Sequence, residues 1–195
     1  MNKQQQKRLM MFGGAVLLLL AGAVAGSAYR EFVQQASTKR ELVRNFDVIW
    51  PHELTRSGLP RDVSGWVWLR QKQGVRSIVT FRTKNDVDYR SLGFDNVMRL
   101  PLSGKIMPTE QQAVAFLKFV QDHRNQPVHI HCTAGRDRTG MMAALVRYSI
   151  DGWTLDKALN EARRYRDGKN LSDRRVAWLE GWAKMHPRGS FKVTP

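Results

Sequence analysis

The feature that most constrains this chain is the run HCTAGRDRTG at residues 131–140, which contains the chain's only cysteine, Cys132. The β-rich stretch 127–131 precedes the cysteine, and the largely apolar stretch 139–150 follows the run. The first is typical of a buried strand and the second of a buried helix. The sequence therefore predicts a strand, a loop and a helix in direct succession, with Cys132 where the strand ends.

A loop in this position is suited to bind an anion. Free backbone N–H groups and the positive end of the helix dipole meet at a helix N-terminus. A loop that curls around an anion also turns successive N–H groups inward, and Gly135 supplies the backbone freedom for such a curl. The predicted substrate-binding residues are Thr133, Ala134, Gly135, Arg136, Asp137 and Arg138.

The side chains of the run fit nucleophilic catalysis on a phosphate. The same positive field lowers the pKa of the Cys132 thiol, and the thiolate is the nucleophile. Arg138 offers a planar fork that matches two phosphate oxygens and can stabilise the transition state. Thr139 is expected to donate its hydroxyl to the thiolate, and His131 to brace the loop. A lone cysteine is more often a small buried hydrophobic residue. That interpretation does not explain why the residues around Cys132 are of the types that bind and activate a phosphate.

The run resembles the Cys-x5-Arg signature of the protein tyrosine phosphatase superfamily, in the His-Cys-x-x-Gly-x-x-Arg-Thr-Gly form of its dual-specificity branch. This resemblance implies a cysteinyl-phosphate intermediate that is then hydrolysed, with neither metal nor other cofactor. The stretch 54–60 is similar to the Arg-Ser-x-x-Pro opening of small bacterial and fungal members. Weaker similarity extends from about Asn45 to about Trp182. Among bacterial members, the exported dual-specificity phosphatases of Gram-negative envelopes look most similar.

The general acid of the family is missing from its usual place. Members carry an Asp on a mobile loop before the cysteine, whereas residues 98–108 contain no acidic residue. Asp137, inside the loop, resembles an Asp of members that act on phosphoinositides and is our hypothesis for the acid. The alternative is that Asp137 pairs with Arg136 or another arginine and orients the loop. Glu110 is better explained as a first-turn helix residue favoured by the dipole.

Asp86 and Asp88 follow a predicted strand. Together with Arg82 they resemble an Arg-x-x-x-Glu/Asp pattern that shapes the pocket edge in the family. A solvated loop is the simpler interpretation for each of them taken alone.

The rest of the chain alternates short strands and helices. We predict strands at 45–50, 77–81 and 96–100 and a helix at 63–72. A capping box of Thr109 with Gln112 starts a helix over 109–123, and further helices start at Thr154 and after Ser172. This alternation predicts an α/β fold with a mixed, mostly parallel central sheet flanked by helices.

Residues 1–28 differ in character from the rest. A basic start is followed by an uncharged run over 9–28, which predicts a membrane anchor or a secretory signal. We favour an anchor with the catalytic domain on the periplasmic or extracytoplasmic side. The predicted divisions are this segment, a linker over 29–43, a catalytic domain over 44–186 and a tail over 187–195.

The charge of the chain adds a constraint on its partners. A formal net charge of +15 favours a polyanion or an anionic lipid surface. No nucleic-acid motif accompanies it. The resemblance to envelope dual-specificity phosphatases implies a phosphorylated protein as the substrate. The anchor, the basic charge and Asp137 favour the alternative, a membrane phospholipid such as a phosphoinositide or phosphatidylglycerophosphate. Two remote alternatives are a rhodanese-type sulfurtransferase and a non-catalytic phosphate-binding module. The scattered histidines and single cysteine provide no zinc spacing.

Overall fold

A five-stranded sheet runs through the part of the protein that the structure, a computed structural model, describes, which is residues 42–192. Its strands lie in the spatial order β1-β2-β5-β3-β4. β1 pairs antiparallel with β2, and all other pairs are parallel. The strands are β1 (Asp47–Trp50), β2 (Leu54–Ser57), β3 (Ser77–Thr80), β4 (Asn96–Arg99) and β5 (Val128–His131).

Five helices of the described residues cover the two faces of this sheet, and local sequence signals start three of them. Asp62 accepts a hydrogen bond from the Gly65 N–H, and Thr154 one from the Lys157 N–H. Thr109 forms the predicted capping box with Gln112. The helices are α1 (Val63–Gln71), α2 (Glu110–Gln121), α3 (Asp137–Ser149), α4 (Leu155–Arg163) and α5 (Asp173–Met185).

The core has two parts, one on each face of the sheet. Successive residues of a strand point to opposite faces, so Ile78 and Val79 of β3 belong to different clusters. The larger cluster lies under α2 to α5, and the smaller one packs α1 against Phe46, Tyr89 and the sheet. Because both faces are covered, the central strands β3 and β5 are buried along their whole length.

The mixed α/β sheet flanked by helices is confirmed, with local corrections. The first strand begins at Asp47, two residues later than predicted, because Asn45 adopts a positive φ of 54° that a strand excludes. β2 was not predicted as a strand. It pairs with both β1 and β5, so an antiparallel hairpin sits beside the strand that leads to Cys132.

The chain past α5 is packed as far as it is described, although 187–195 was predicted as a tail. The Gly189 N–H donates to the Tyr148 carbonyl and the Phe191 N–H to the Ser149 carbonyl, each at 2.9 Å. The predicted segment 1–28 and most of the predicted linker 29–43 lie outside the described residues. Between residues 42 and 192, no helix combines the length and the apolar character needed to cross a membrane.

Candidate active site

The loop between β5 and α3 lies where the sequence predicts it. Cys132 directly follows β5, and α3 begins at Asp137, two residues before the predicted start at Thr139. The side chain of Arg136, the N-cap residue of α3, forms no capping hydrogen bond with the first turn of the helix. The first N–H groups of a helix need partners from outside it, and an anion can supply them.

The loop is packed tightly against the turn that follows β2. Gly135 has φ +71°, and a Cβ built on it would lie 2.3 Å from the Gly58 nitrogen. A Cβ on Gly58 would in turn lie 2.9 Å from the Ala134 carbonyl carbon. Both glycines are thus required for the backbones to approach, and at Gly135 the backbone conformation also favours glycine.

Three neighbouring carbonyl oxygens of the loop accept hydrogen bonds from outside it: those of Thr133, Ala134 and Gly135. The Leu59 N–H donates to the first at 3.1 Å and Asn45 Nδ2 donates to the second at 2.8 Å. Arg56 Nη2 donates to the third. The outer side of the loop is therefore fixed by β2 and its neighbours.

Cys132 lies at the base of this loop and is 2% exposed. Burial alone raises the pKa of the thiol. Hydrogen bonds from Thr139, the charge of Arg138 and the Gly135 N–H, which lies 3.2 Å from Sγ, outweigh burial, so the pKa of Cys132 is lowered from its ordinary value. The Thr139 side chain is fully buried, and its hydroxyl also donates to the Ser57 carbonyl at 3.5 Å.

Arg138 links the loop to two neighbouring segments. Nη1 donates to the Phe81 carbonyl at 3.1 Å and the Leu102 carbonyl at 3.3 Å, and Nη2 donates to Thr133 Oγ1 at 3.1 Å. These bonds hold the guanidinium beside the loop and the segment after β4. The fork is thereby placed at the edge of the predicted phosphate site.

His131 is held as a neutral brace. It is fully buried, and this desolvation, reinforced by nearby arginines, lowers its pKa to about 3. In the neutral ring, Nδ1–H donates to the Cys132 carbonyl at 3.2 Å and Nε2 accepts from the Tyr89 hydroxyl at 3.0 Å. These are the contacts expected of a residue that supports the loop.

The acidic residues proposed around the loop all have partners. Asp137 pairs with Arg166, and Arg136 pairs instead with Asp167 at 3.4 Å. The remaining candidates lie elsewhere. Glu110 is in the first turn of α2, with Oε1 3.0 Å from His186 Nε2, Asp86 pairs with Arg82, and Asp88 accepts from the Ser91 N–H and hydroxyl.

Two buried arginines near the site were not identified from the sequence as functional. Arg56 was quoted only within a resemblance, since a four-residue strand of mixed polarity gives no clear periodicity. Arg175 of α5 donates to the Ser103 carbonyl at 3.2 Å, next to the carbonyl that Arg138 binds. The sequence signal for Arg56 was the turn-forming run at residues 57–60, whose glycine and proline mark the end of a strand.

Within residues 42–192 no cluster of His, Cys, Asp or Glu could hold a metal ion.

This fold, with a cysteine at the base of an anion loop and an arginine at its far end, defines a phosphatase domain of the protein tyrosine phosphatase superfamily. A family model described as "DSP-PTPase phosphatase fused to NAD+ Kinase" matches residues 51–178. The match covers more than half of the chain, and the chain belongs to this family.

Two curated relatives illustrate the range of the family. The dual specificity protein phosphatase TpbA of Pseudomonas aeruginosa (strain UCBPP-PA14) is 31% identical over 111 residues, which are 57% of this chain and 50% of TpbA. The inositol diphosphatase DSP2 of Oryza sativa subsp. japonica is 32% identical over 92 residues, 47% of this chain and 43% of DSP2. The chain thus spans about half the length of these relatives or less.

Solved structures share the fold. The crystal structure of P. aeruginosa TpbA superposes with a TM-score of 0.56 at 27% identity and covers 72% of this chain and 90% of TpbA's. TpbA has also been solved in complex with phosphotyrosine. The catalytic core of SIW14 from S. cerevisiae gives a TM-score of 0.59 at 23% identity, over 70% of this chain and 84% of its own. At that identity the likeness to SIW14 shows the fold alone.

Proposed function

We propose that this protein is a cysteine-dependent phosphomonoester hydrolase of the protein-tyrosine and dual-specificity type. The observation that carries the proposal is Cys132, a thiol of lowered pKa at the base of a loop whose carbonyls are bound from outside. The N–H groups of such a loop are left to bind phosphate oxygens.

The reaction has two steps. The Cys132 thiolate attacks phosphorus, an S–P bond forms, and the P–O bond to the leaving group breaks with its electron pair on the leaving oxygen, which takes up a proton. Water then attacks the phosphocysteine, the S–P bond breaks, and the thiolate and inorganic phosphate are released as the water loses a proton. Arg138 binds two phosphate oxygens in both steps, and Thr139 stabilises the departing thiolate by its hydrogen bond.

We assign Asp137 as the general acid that donates a proton to the leaving oxygen. Its ion pair with Arg166 limits this role. The carboxylate is 39% exposed and paired with Arg166, which is the arrangement expected of an orienting residue. Acid catalysis by Asp137 therefore requires the pair to separate when substrate binds, for example when a phosphate oxygen attracts Arg166.

Asp137→Asn tests this assignment. If Asp137 is the acid, activity on an alkyl phosphate falls by about a hundredfold or more, whereas activity on an aryl phosphate with a good leaving group changes little. Arg166→Gln serves as the control, because it frees the carboxylate without removing it. An equal loss on both substrates in Asp137→Asn would leave Asp137 as an orienting residue only.

A phosphorylated protein is the proposed substrate class. Support comes from TpbA, which is named as a dual specificity protein phosphatase and has been solved with phosphotyrosine. The charge of the chain, +15, suits an acidic partner surface.

A phosphoinositide or other phospholipid headgroup is the second candidate. Arg175 is 7% exposed and donates to the Ser103 carbonyl, next to the Leu102 carbonyl that Arg138 binds in the segment after β4. Neither arginine forms an ion pair with a carboxylate among the described residues. Two arginines without counter-charges beside Cys132 favour a substrate with a second anionic group. The relative DSP2, named as an inositol diphosphatase, supports the same class.

The experiment measures phosphate release by the full chain and by Cys132→Ser. Its panel pairs phosphotyrosine and phosphothreonine peptides with phosphoinositide and phosphatidylglycerophosphate vesicles. We expect release that Cys132→Ser abolishes, and the better half of the panel assigns the substrate class. Binding of phosphate without release from any substrate would favour a binding module, and persulfide formation from thiosulfate would favour a sulfurtransferase.

The membrane is the proposed location. The uncharged run over 9–28 supports an N-terminal anchor, with the catalytic domain on the periplasmic or extracytoplasmic side. Fractionation of cells followed by protease treatment of spheroplasts tests this arrangement. We expect the full-length chain in the membrane fraction and degraded from outside, whereas protection of the chain in intact spheroplasts would contradict the orientation.

A further inference from the structure

The hydrogen bonds on the outer side of the loop determine where its N–H groups point. In a trans peptide the C=O and N–H groups lie on opposite sides of the bond. The Ala134 carbonyl is held by Asn45 on the outside, and the N–H of the same peptide, that of Gly135, lies 3.2 Å from Cys132 Sγ on the inside. By the same rule, the bond from Arg56 to the Gly135 carbonyl directs the Arg136 N–H inward.

Arg56 is unusual in its surroundings. It lies in β2 with 1% of its surface exposed, and its guanidinium stacks 3.6 Å from the ring centroid of Tyr165. The Tyr165 hydroxyl donates to Asp47, so this carboxylate is occupied by the tyrosine. Within the described residues no carboxylate forms an ion pair with Arg56, and its Nε and Nη1 have no hydrogen-bond partner.

A buried charge without a counter-ion is costly. Burial accordingly lowers the pKa of Arg56, while Tyr165, Glu161 and the Cys132 thiolate act in the opposite direction. The arginine therefore lies within electrostatic reach of the nucleophile, although it does not line the loop. A positive charge at this position is useful when the loop above it carries a thiolate and a phosphate.

We propose that Arg56 and Asn45 are positioning residues that hold the loop in its anion-binding form before substrate arrives. Each donates to a loop carbonyl from the outer side, and Arg56 adds a buried positive charge beneath the loop. Neither side chain touches the phosphate. The inference rests on the proposed function only in taking the loop as the phosphate site, and it identifies residues that the Cys-x5-Arg motif does not contain.

The single cysteine makes a direct test possible in the full chain. The rate of alkylation by iodoacetamide reports on Cys132 alone, since the chain has no other thiol. Its dependence on pH gives the pKa of the thiol, and protection by inorganic phosphate gives the affinity of the loop for an oxyanion. Both readouts are independent of turnover.

Three variants separate positioning from stability. Arg56→Met fills the same space with an uncharged chain that cannot donate. Asn45→Gly removes the amide and suits the positive φ of 54° at that residue. Val120→Ala is the control for stability, because its fully buried side chain belongs to α2. The Val120 carbonyl accepts a hydrogen bond from Gln126, before β5, whereas the loop follows β5.

We expect Arg56→Met to weaken protection by phosphate about tenfold or more and to move the alkylation profile to higher pH. Asn45→Gly should act in the same direction with a smaller effect, and Val120→Ala should change only the thermal unfolding midpoint. Wild-type protection and pH profile in folded Arg56→Met would overturn the proposal. If Arg56→Met does not fold, Asn45→Gly decides by the same criteria.

The outcomes distinguish this inference from the proposed function. A wild-type chain that binds phosphate and has a readily alkylated Cys132, yet releases no phosphate from any substrate, would contradict the phosphatase and leave the positioning role intact. Phosphatase activity that persists together with an unchanged loop in both variants would contradict only the positioning role.

Discussion

Gly135 shows how closely the chemistry depends on single residues. It adopts φ +71° directly beside the backbone of Ser57 and Gly58, and its N–H lies 3.2 Å from the nucleophile Cys132. The glycine thus has a conformational, a steric and an electrostatic role at once. Most residues of the loop could be assigned from the sequence because the motif is contiguous in the chain. The packing of Gly135 against Gly58 could not, since those residues are far apart in sequence.

Gly135→Ala is predicted to remove activity. A Cβ would lie 2.3 Å from the Gly58 nitrogen and 2.5 Å from the Ser57 carbonyl carbon, so the loop or the β2 turn must move. We expect phosphate release to fall by about a hundredfold or more, in line with the loss of an oxyanion donor. The measurement is kcat/KM on an aryl phosphate. Gly74→Ala is the control, because it also has a positive φ, of 67°, but a Cβ there meets nothing within 4 Å. Near-wild-type activity in Gly135→Ala would be incompatible with the described loop.

The elements differ in how far the sequence predicted them. β5, the loop and α3 are predicted by a strand, a motif and an apolar helix in direct succession. β2 is a four-residue strand, LTRS, and its four buried residues follow no alternation of apolar and polar side chains. It pairs antiparallel with β1 and parallel with β5, which is distant in sequence. The convergence of Asn45, Arg56 and Leu59 on the loop results from that pairing, which no local pattern encodes.

The capping box of α2 provides a test at the level of the element. Thr109 Oγ1 accepts from the Gln112 N–H at 3.2 Å, and Gln112 Oε1 accepts from the Thr109 N–H at 2.9 Å. Thr109→Ala is expected to lower the free energy of unfolding by about 1 kcal/mol, measured by urea denaturation, with little effect on activity. The neighbouring exposed residue gives the control Gln111→Ala, for which we expect a change within about 0.5 kcal/mol. Equal effects of the two variants would show that the box contributes nothing.

At the scale of the whole molecule, buried histidines couple stability to pH. His129 and His131 are adjacent on one face of β5, both fully buried, and burial lowers both pKa values, that of His131 to about 3. His129 bonds to the Thr55 and Ser57 side chains of β2. His131 instead bonds to the Tyr89 hydroxyl and the Cys132 carbonyl. Both imidazoles are therefore neutral, buried parts of the strand that leads to the nucleophile.

Stability should fall as the solution becomes acidic. Below the ordinary pKa of 6.5 and above about 3 the unfolded chain binds more protons at His131 than the folded chain does, so the free energy of unfolding decreases as pH falls through this range. His131 alone should cost about 2 kcal/mol between about pH 7.5 and pH 5, and His129 acts in the same direction.

Urea denaturation of Cys132→Ser measures this dependence, since the variant lacks a titrating thiol. His131→Asn is the matched comparison, and the fall over the same range should be smaller by about 2 kcal/mol. A free energy of unfolding that does not change over this range would contradict the buried, neutral state of both histidines.

The central claim is that Cys132 carries the phosphoryl group, and trapping the intermediate tests it most directly. The full chain is mixed with an aryl phosphate, quenched in acid during turnover, digested and analysed by mass spectrometry of the peptide that contains Cys132. We predict a phosphoryl group on Cys132 in the wild type, and neither label nor phosphate release in Cys132→Ser. Phosphate release that continues in Cys132→Ser, with no phosphoryl group on Cys132 in the wild type, would contradict the account.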